Sequence, residues 1–208
     1  MTGARPLSRD RILKAAFAIA DKRGLEAVTM RSVAARLNVE AMSLYHHVPS
    51  KKAMLNGLVD LLVQMAEMPT GEVTTEEWIR GTAGGLRHLA QKHPRVVGLL
   101  SSRTVPLDDP ESAKPFEAGL AAFVREGRAI DQAYAAVQSV ALAVLSMTQL
   151  ESIQALGEAP ASMDDATHID ALSGEAFPLL RQVADSDVSL DLFWDALTEG
   201  LVRGFASS

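Results

Sequence analysis

Residues 29–55, TMRSVAARLNVEAMSLYHHVPSKKAML, decide how the chain is read. Thr29 offers a side-chain oxygen just ahead of an apolar-periodic run, which predicts a helix over Met30–Leu37 burying Val33, Ala34 and Leu37. Asn38 tolerates the left-handed backbone that a tight interhelical turn demands. A short third helix follows over about Glu40–His47, with Leu44 turned inward and Val48 and Pro49 ending it. Two short helices joined by a turn of three or four residues form a helix-turn-helix. Upstream, Ser8 caps a helix running to Arg23, with Ile12, Ala15, Ala16, Ile19 and Ala20 at helical spacing and Gly24 as its stop. Downstream, Ser50 caps a fourth helix, Lys51 to about Met65, that connects this head to the remainder.

Charge separates the two parts. Residues 1–52 hold ten Lys and Arg against four Asp and Glu, a balance of +6, while the other 156 residues carry −12, giving −6 over 208 residues. A basic head on an acidic body suits a polyanion-binding module. The chain has no cysteine, which excludes disulfides, thiolate metal sites and cysteine nucleophiles and suits a reducing compartment. Arg9, Asp10 and Arg11 fall where a signal peptide needs its apolar core, so a cytoplasmic location is expected.

Past a linker at Pro69–Thr75 the pattern stays helical, with no alternating strand signal. Helices are expected over Thr75–Lys92, Pro94–Ser101, Pro110–Glu126, Asp131–Gln154, Gly174–Ala184 and Val188–Phe205, with a loop across 157–173. The fold class is therefore all-α: a helix-turn-helix head, residues 1–52, and a helical body, residues 53–208, whose long apolar faces suit a ligand-binding and dimerisation domain. Residues 132–150 carry no charge and are long enough to span a bilayer. Gln138, Gln149, Ser139, Ser146 and Thr148 interrupt the run, and a helix shared between core and oligomer interface fits it better, so no membrane partner is expected.

The run from Thr29 to Leu55, above all Leu44-Tyr45-His46-His47-Val48 followed by Lys51, resembles the DNA-binding domain of the TetR family of transcriptional regulators, and the likeness covers residues 8–60. Trp78, the His93-Pro94 pair and the closing segment from Phe193 to Val202 are similar to the ligand-binding domain of the tetracycline-repressor branch. The resemblance implies a homodimeric regulator on a pseudo-palindromic operator in double-stranded DNA, responsive to a small molecule. Arg31 matches a family position that can reach a base, where its planar fork pairs with guanine; a solvated arginine or a phosphate clamp is the alternative. Ala41, Met42, Ser43 and His46 occupy the part of the third helix that faces base edges, Ala41 and Met42 offering only apolar contact. Tyr45, His47 and Lys51 grip the phosphate backbone, although the rings of Tyr45 and His47 could instead pack between helices. The adjacent His46 and His47 diverge by about 100° around a helix and have no carboxylate at matching spacing, so neither metal nor cofactor is expected.

Within the body, Leu86, Leu89, Leu100, Phe116, Leu120, Phe123, Val137 and Met147 are candidate walls of a ligand cavity, each taken singly reading more readily as plain core. His88, Arg103, Gln138, Gln149 and Glu151 are the polar groups that could orient a ligand. Tetracycline repressors hold a magnesium-chelated drug partly through a histidine near the end of the sixth helix; the corresponding Val96–Arg103 stretch has none, which points to a largely apolar effector. Glu151 falls near a family acidic position. Ala135, Leu142, Leu192, Trp194 and Leu201 are candidate dimer contacts on the two helices expected to pair with their copies. A constitutive DNA-binding regulator and an all-helical enzyme are the competing readings. The enzyme lacks G-x-S-x-G, a phosphate-cradling glycine loop and H-E-x-x-H.

Overall fold

The computed structural model describes residues 6–101, 109–158, 182 and 189–206, and every regular element among them is helical. Side-chain caps set most boundaries. Ser8, Thr29 and Ser50 accept from the backbone N–H three residues on, starting α1 (Arg9–Arg23), α2 (Met30–Leu37) and α4 (Lys51–Met65). Asn38 ends α2 at φ 54° and ψ 49°, and the Val39 N–H donates to the Ala34 carbonyl at 3.0 Å. The recognition helix α3 (Ala41–Tyr45) is shorter than the sequence predicts. Glu40 is extended at its start, and the Leu44 carbonyl takes the N–H groups of both His47 and Val48, tightening the chain before Pro49. A 3₁₀ turn, Leu25–Ala27, fills what reads in sequence as a plain link after Gly24.

The body continues with α5 (Thr75–Lys92), α6 (Pro94–Ser101), α7 (Pro110–Arg125), α8 (Ile130–Ala155) and α9 (Leu190–Phe205). A reciprocal capping box between Thr74 and Glu77 starts α5, and the two donors from Thr74 hold the Glu77 carboxyl below the usual range. Pro94 and Pro110 stand at first helical positions, where no N–H is needed. The helix expected over Gly174–Ala184, the 159–173 part of the expected loop and Arg103 lie outside the described residues, Gln182 apart.

Helices α5 and α8 form the axis of the bundle; α6, α7 and α9 pack on both, and α1 packs on α2, α4 and α6. One apolar cluster runs through head and body, from Ile12, Val33 and Leu44 to Leu62, Trp78, Leu100 and Val140. Helix α8 is long and apolar enough to cross a membrane, but its buried Ala133, Ala136, Val137, Val140, Val144 and Thr148 recur at helical spacing and face the bundle. At the end of α4 the Ala66 carbonyl sits against α5 so closely that a Cβ on Gly85 would lie 2.0 Å from its oxygen.

Candidate DNA-binding and ligand sites

The head presents its predicted DNA-binding residues to solvent. Arg31, Tyr45, His46, His47 and Lys51 are exposed, and Met42 is 70% exposed at the tip of α3. Ala41 and Ser43 are half-buried in the same turn. Among the described residues no carboxylate pairs with Arg31, Arg36, Lys51 or Lys52, so their charges are available to a polyanion. Tyr45 and His47 stand exposed and are not packed between helices, whereas Leu44, Val48 and Met54 nearby are each 1% exposed or less.

The head is tied to the body where α1 meets the α5–α6 junction. His93 Nδ1 and Asp21 Oδ1 are 2.9 Å apart, and the Phe17 ring stands edge-on to His93 with centroids 5.0 Å apart. Helix α4 makes the other link, carrying Val63 down to the body.

Inside the body is a cavity of about 470 Å³, the size of a drug-like ligand site. Its walls come from Val63 at the end of α4 and Met68 just after it, Trp78, Thr82 and Leu86 on α5, Leu100 and Ser101 on α6, and Pro115, Phe116 and Leu120 on α7. Helix α8 adds Tyr134, Val137, Gln138, Ala141, Leu142 and Leu145. Among the described residues no charged side chain lines it. Trp78 is fixed by its indole N–H donating to the Pro115 carbonyl at 2.7 Å, and its ring fits only because residue 119 is glycine: a Cβ there would lie 2.5 Å from the indole. Tyr134 and Gln138 are joined at 3.2 Å toward the exposed side of α8.

Of the predicted walls, Leu86, Leu100, Phe116, Leu120 and Val137 line this cavity. Leu89, Phe123 and Met147 do not. Leu89 and Phe123 are turned into close-packed core, Phe123 edge-on between Trp78 and Phe205, and Met147 packs partly buried against that core. Gln138 is on the wall, whereas His88 is exposed and Gln149 lies beside Gly98. Trp78 and Thr82 were not predicted as wall residues; with Leu86 they recur every four residues along α5, a stripe that could have found them.

Glu151 faces away from the cavity into a polar knot joining three helices. Its carboxylate accepts from Gln91 at 2.9 Å, from Arg87 at 3.3 Å and from the Trp194 indole N–H. Burial opposes the Arg87 charge, but bonding to Asp191 and the nearby Glu151 outweigh it and hold the guanidinium above its ordinary pKa. Trp194 is consequently 2% exposed within its own subunit and is not a surface contact. Leu201 is half-buried against the core, while Ala135, Leu142 and Leu192 stand exposed on α8 and α9. A more open depression between α5 and α9 has Arg80 and Arg87 on its walls, both already paired, Arg80 with Glu76 and Glu199. Among the described residues no group of three or more His, Asp or Glu could hold a metal.

The family described as bacterial regulatory proteins, tetR family, matches residues 12–58, the stretch that carries α2, α3 and the start of α4. Residues 12–58 carry the DNA-binding head of the TetR family. Over head and body together, the chain is 27% identical to the class D tetracycline repressor protein of Escherichia coli across 204 residues, 96% of the chain and 89% of that repressor. It is 34% identical to the HTH-type transcriptional repressor DrrR1 of Streptomyces coeruleorubidus over 113 residues, half of the chain and 42% of that protein's length. The crystal structure of ActR, a TetR family protein of Streptomyces coelicolor, in complex with actinorhodin superposes with a TM-score of 0.82 over 98% of both chains at 23% identity. That likeness establishes a shared TetR-family fold across head and body.

Proposed function

We propose that the protein is a homodimeric, cytoplasmic repressor that holds a pseudo-palindromic operator through its head, residues 1–52, and is released when a small, largely apolar effector fills the cavity of its body, residues 53–208. The observation that carries this reading is the 470 Å³ cavity, whose described walls carry no charge and include two elements that touch the head. Val63 and Met68 belong to the end of α4 and the turn after it; Leu100 and Ser101 belong to α6, which packs on α1. A ligand there can favour one placement of the heads over another, and only such differential affinity shifts a binding equilibrium. Dimerisation is assigned to the faces of α8 and α9 that expose Ala135, Leu142 and Leu192.

Base readout is assigned to Arg31, Ala41, Met42, Ser43 and His46, and backbone contact to Tyr45, His47 and Lys51. The test is a salt-dependent titration against DNA flanking the protein's own gene and against a pool selected from random sequence. Lys51→Ala should weaken binding to every sequence and flatten the slope of log K against log salt by about 1.8, roughly 0.9 for each of two lost phosphate contacts in a dimer. Arg31→Ala should relax the preference at one base pair per half-site by about 1–3 kcal/mol. Binding of wild type to neither DNA above the non-specific level would sink the repressor reading. Binding that no apolar compound weakens would leave a constitutive regulator.

A further inference from the structure

We infer that the effector is an uncharged, mainly aromatic or alicyclic molecule with a hydrogen-bonding oxygen that pairs with the hydroxyl of Thr82. This rests on the reading of the cavity as the effector site. Thr82 lines the cavity, is 2% exposed, and its Oγ1 has no hydrogen-bond partner among the described residues. A buried hydroxyl left unpaired is destabilising, and native interiors seldom keep one without use. The hydroxyls of Ser112 and Thr148, equally buried, each find a carbonyl, at 3.3 Å and 2.8 Å; Thr75 Oγ1 is also buried and unpaired among the described residues, but Thr82 is the one of the two on the cavity wall. The other polar wall groups differ from Thr82: Ser101 is exposed, and Tyr134 and Gln138 bond to each other.

The remaining walls settle the rest of the ligand. Trp78 and Phe116 offer aromatic faces, Leu86, Leu100 and Leu120 aliphatic ones, and none of the described wall residues carries a charge to pair with an ionised ligand. Against the buried part of these described walls, at Trp78, Thr82 and Leu86, an ion would be unpaired and partly desolvated, which selects against a carboxylate or sulfonate there. A hydroxyl or ketone that meets Thr82 gains a bond in low dielectric that an unsubstituted ring cannot make, and it discriminates by leaving the protein's own group unpaired when absent.

Three fluorescent probes of one ring system separate these terms: pyrene, 1-hydroxypyrene and 1-pyrenesulfonate, each titrated into the full chain. Wild type should bind 1-hydroxypyrene about tenfold more tightly than pyrene, one net hydrogen bond's worth, and 1-pyrenesulfonate at least tenfold more weakly. Thr82→Val should erase the preference for the hydroxyl, leave pyrene binding intact, and melt at or above the wild-type temperature because an unpaired hydroxyl is gone. Gly119→Ala should weaken all three probes, since a Cβ 2.5 Å from the Trp78 ring drives the indole toward the cavity. A hydroxyl preference that survives Thr82→Val, a lower melting temperature for that variant, or tight sulfonate binding overturns the inference while the effector cavity stands. Failure of every probe to bind wild type overturns the cavity reading and the inference with it.

Discussion

Glu151→Ala should lower the stability of the folded protein by about 3 kcal/mol, because it removes the shared acceptor of three donors, one of them fully taken from water. The Trp194 indole N–H, 2% exposed, would face no acceptor, and Arg87 would keep only Asp191. Arg87 is 24% exposed at its side chain and can turn toward solvent, which holds the loss to the lower end of what breaking a buried pair costs. For a chain of this length the melting temperature should fall by roughly 6–12 °C, read at fixed protein concentration. Glu151→Gln retains one acceptor oxygen and should lose about half as much. A loss under about 1 kcal/mol for the alanine variant would mean that the knot is replaced by solvent without penalty.

Gly85→Ala should be nearly as severe, and its neighbour provides the control. Two effects oppose each other at position 85. Alanine is the better helix former by about 1 kcal/mol, but its Cβ would lie 2.0 Å from the Ala66 carbonyl oxygen, a backbone atom that cannot rotate aside. Relief requires the end of α4 to move off α5, so the clash wins by about 2–3 kcal/mol in chemical denaturation. Gly84, one residue earlier, is exposed with open space around its missing Cβ, and Gly84→Ala should stabilise by up to about 1 kcal/mol. Equal behaviour of the two variants would show that α4 and α5 are not packed as described.

Local chemistry made most of the fold legible. Ser8, Thr29, Ser50, Pro94 and Pro110 mark helix starts, and Asn38 adopts the left-handed turn its side chain permits. The end of α3 was harder, because it depends on Leu44's carbonyl being shared by two donors, a choice no propensity records. The cavity was legible only in part. Leu86 and Leu89 are both buried leucines three residues apart on α5, yet one faces empty space and the other packed side chains. Burial periodicity identifies an inward face, but which inward residues leave a gap is set by the helices opposite. Glu151 and Trp194 were misread for a related reason: a long-range bond between α8 and α9 turns an apparent ligand group and an apparent surface aromatic into each other's partners.

The cavity also makes the protein its own detector. Its walls are drawn from α4 through α8 and belong to the same continuous apolar core that holds the head, so a compound that fills it adds to the work of unfolding the whole chain. By mass action, a ligand present at a hundred times its dissociation constant contributes about 2.7 kcal/mol. That corresponds to a rise of roughly 5–10 °C in melting temperature for a chain of this size. A library can therefore be sorted by heat alone, with no operator in hand.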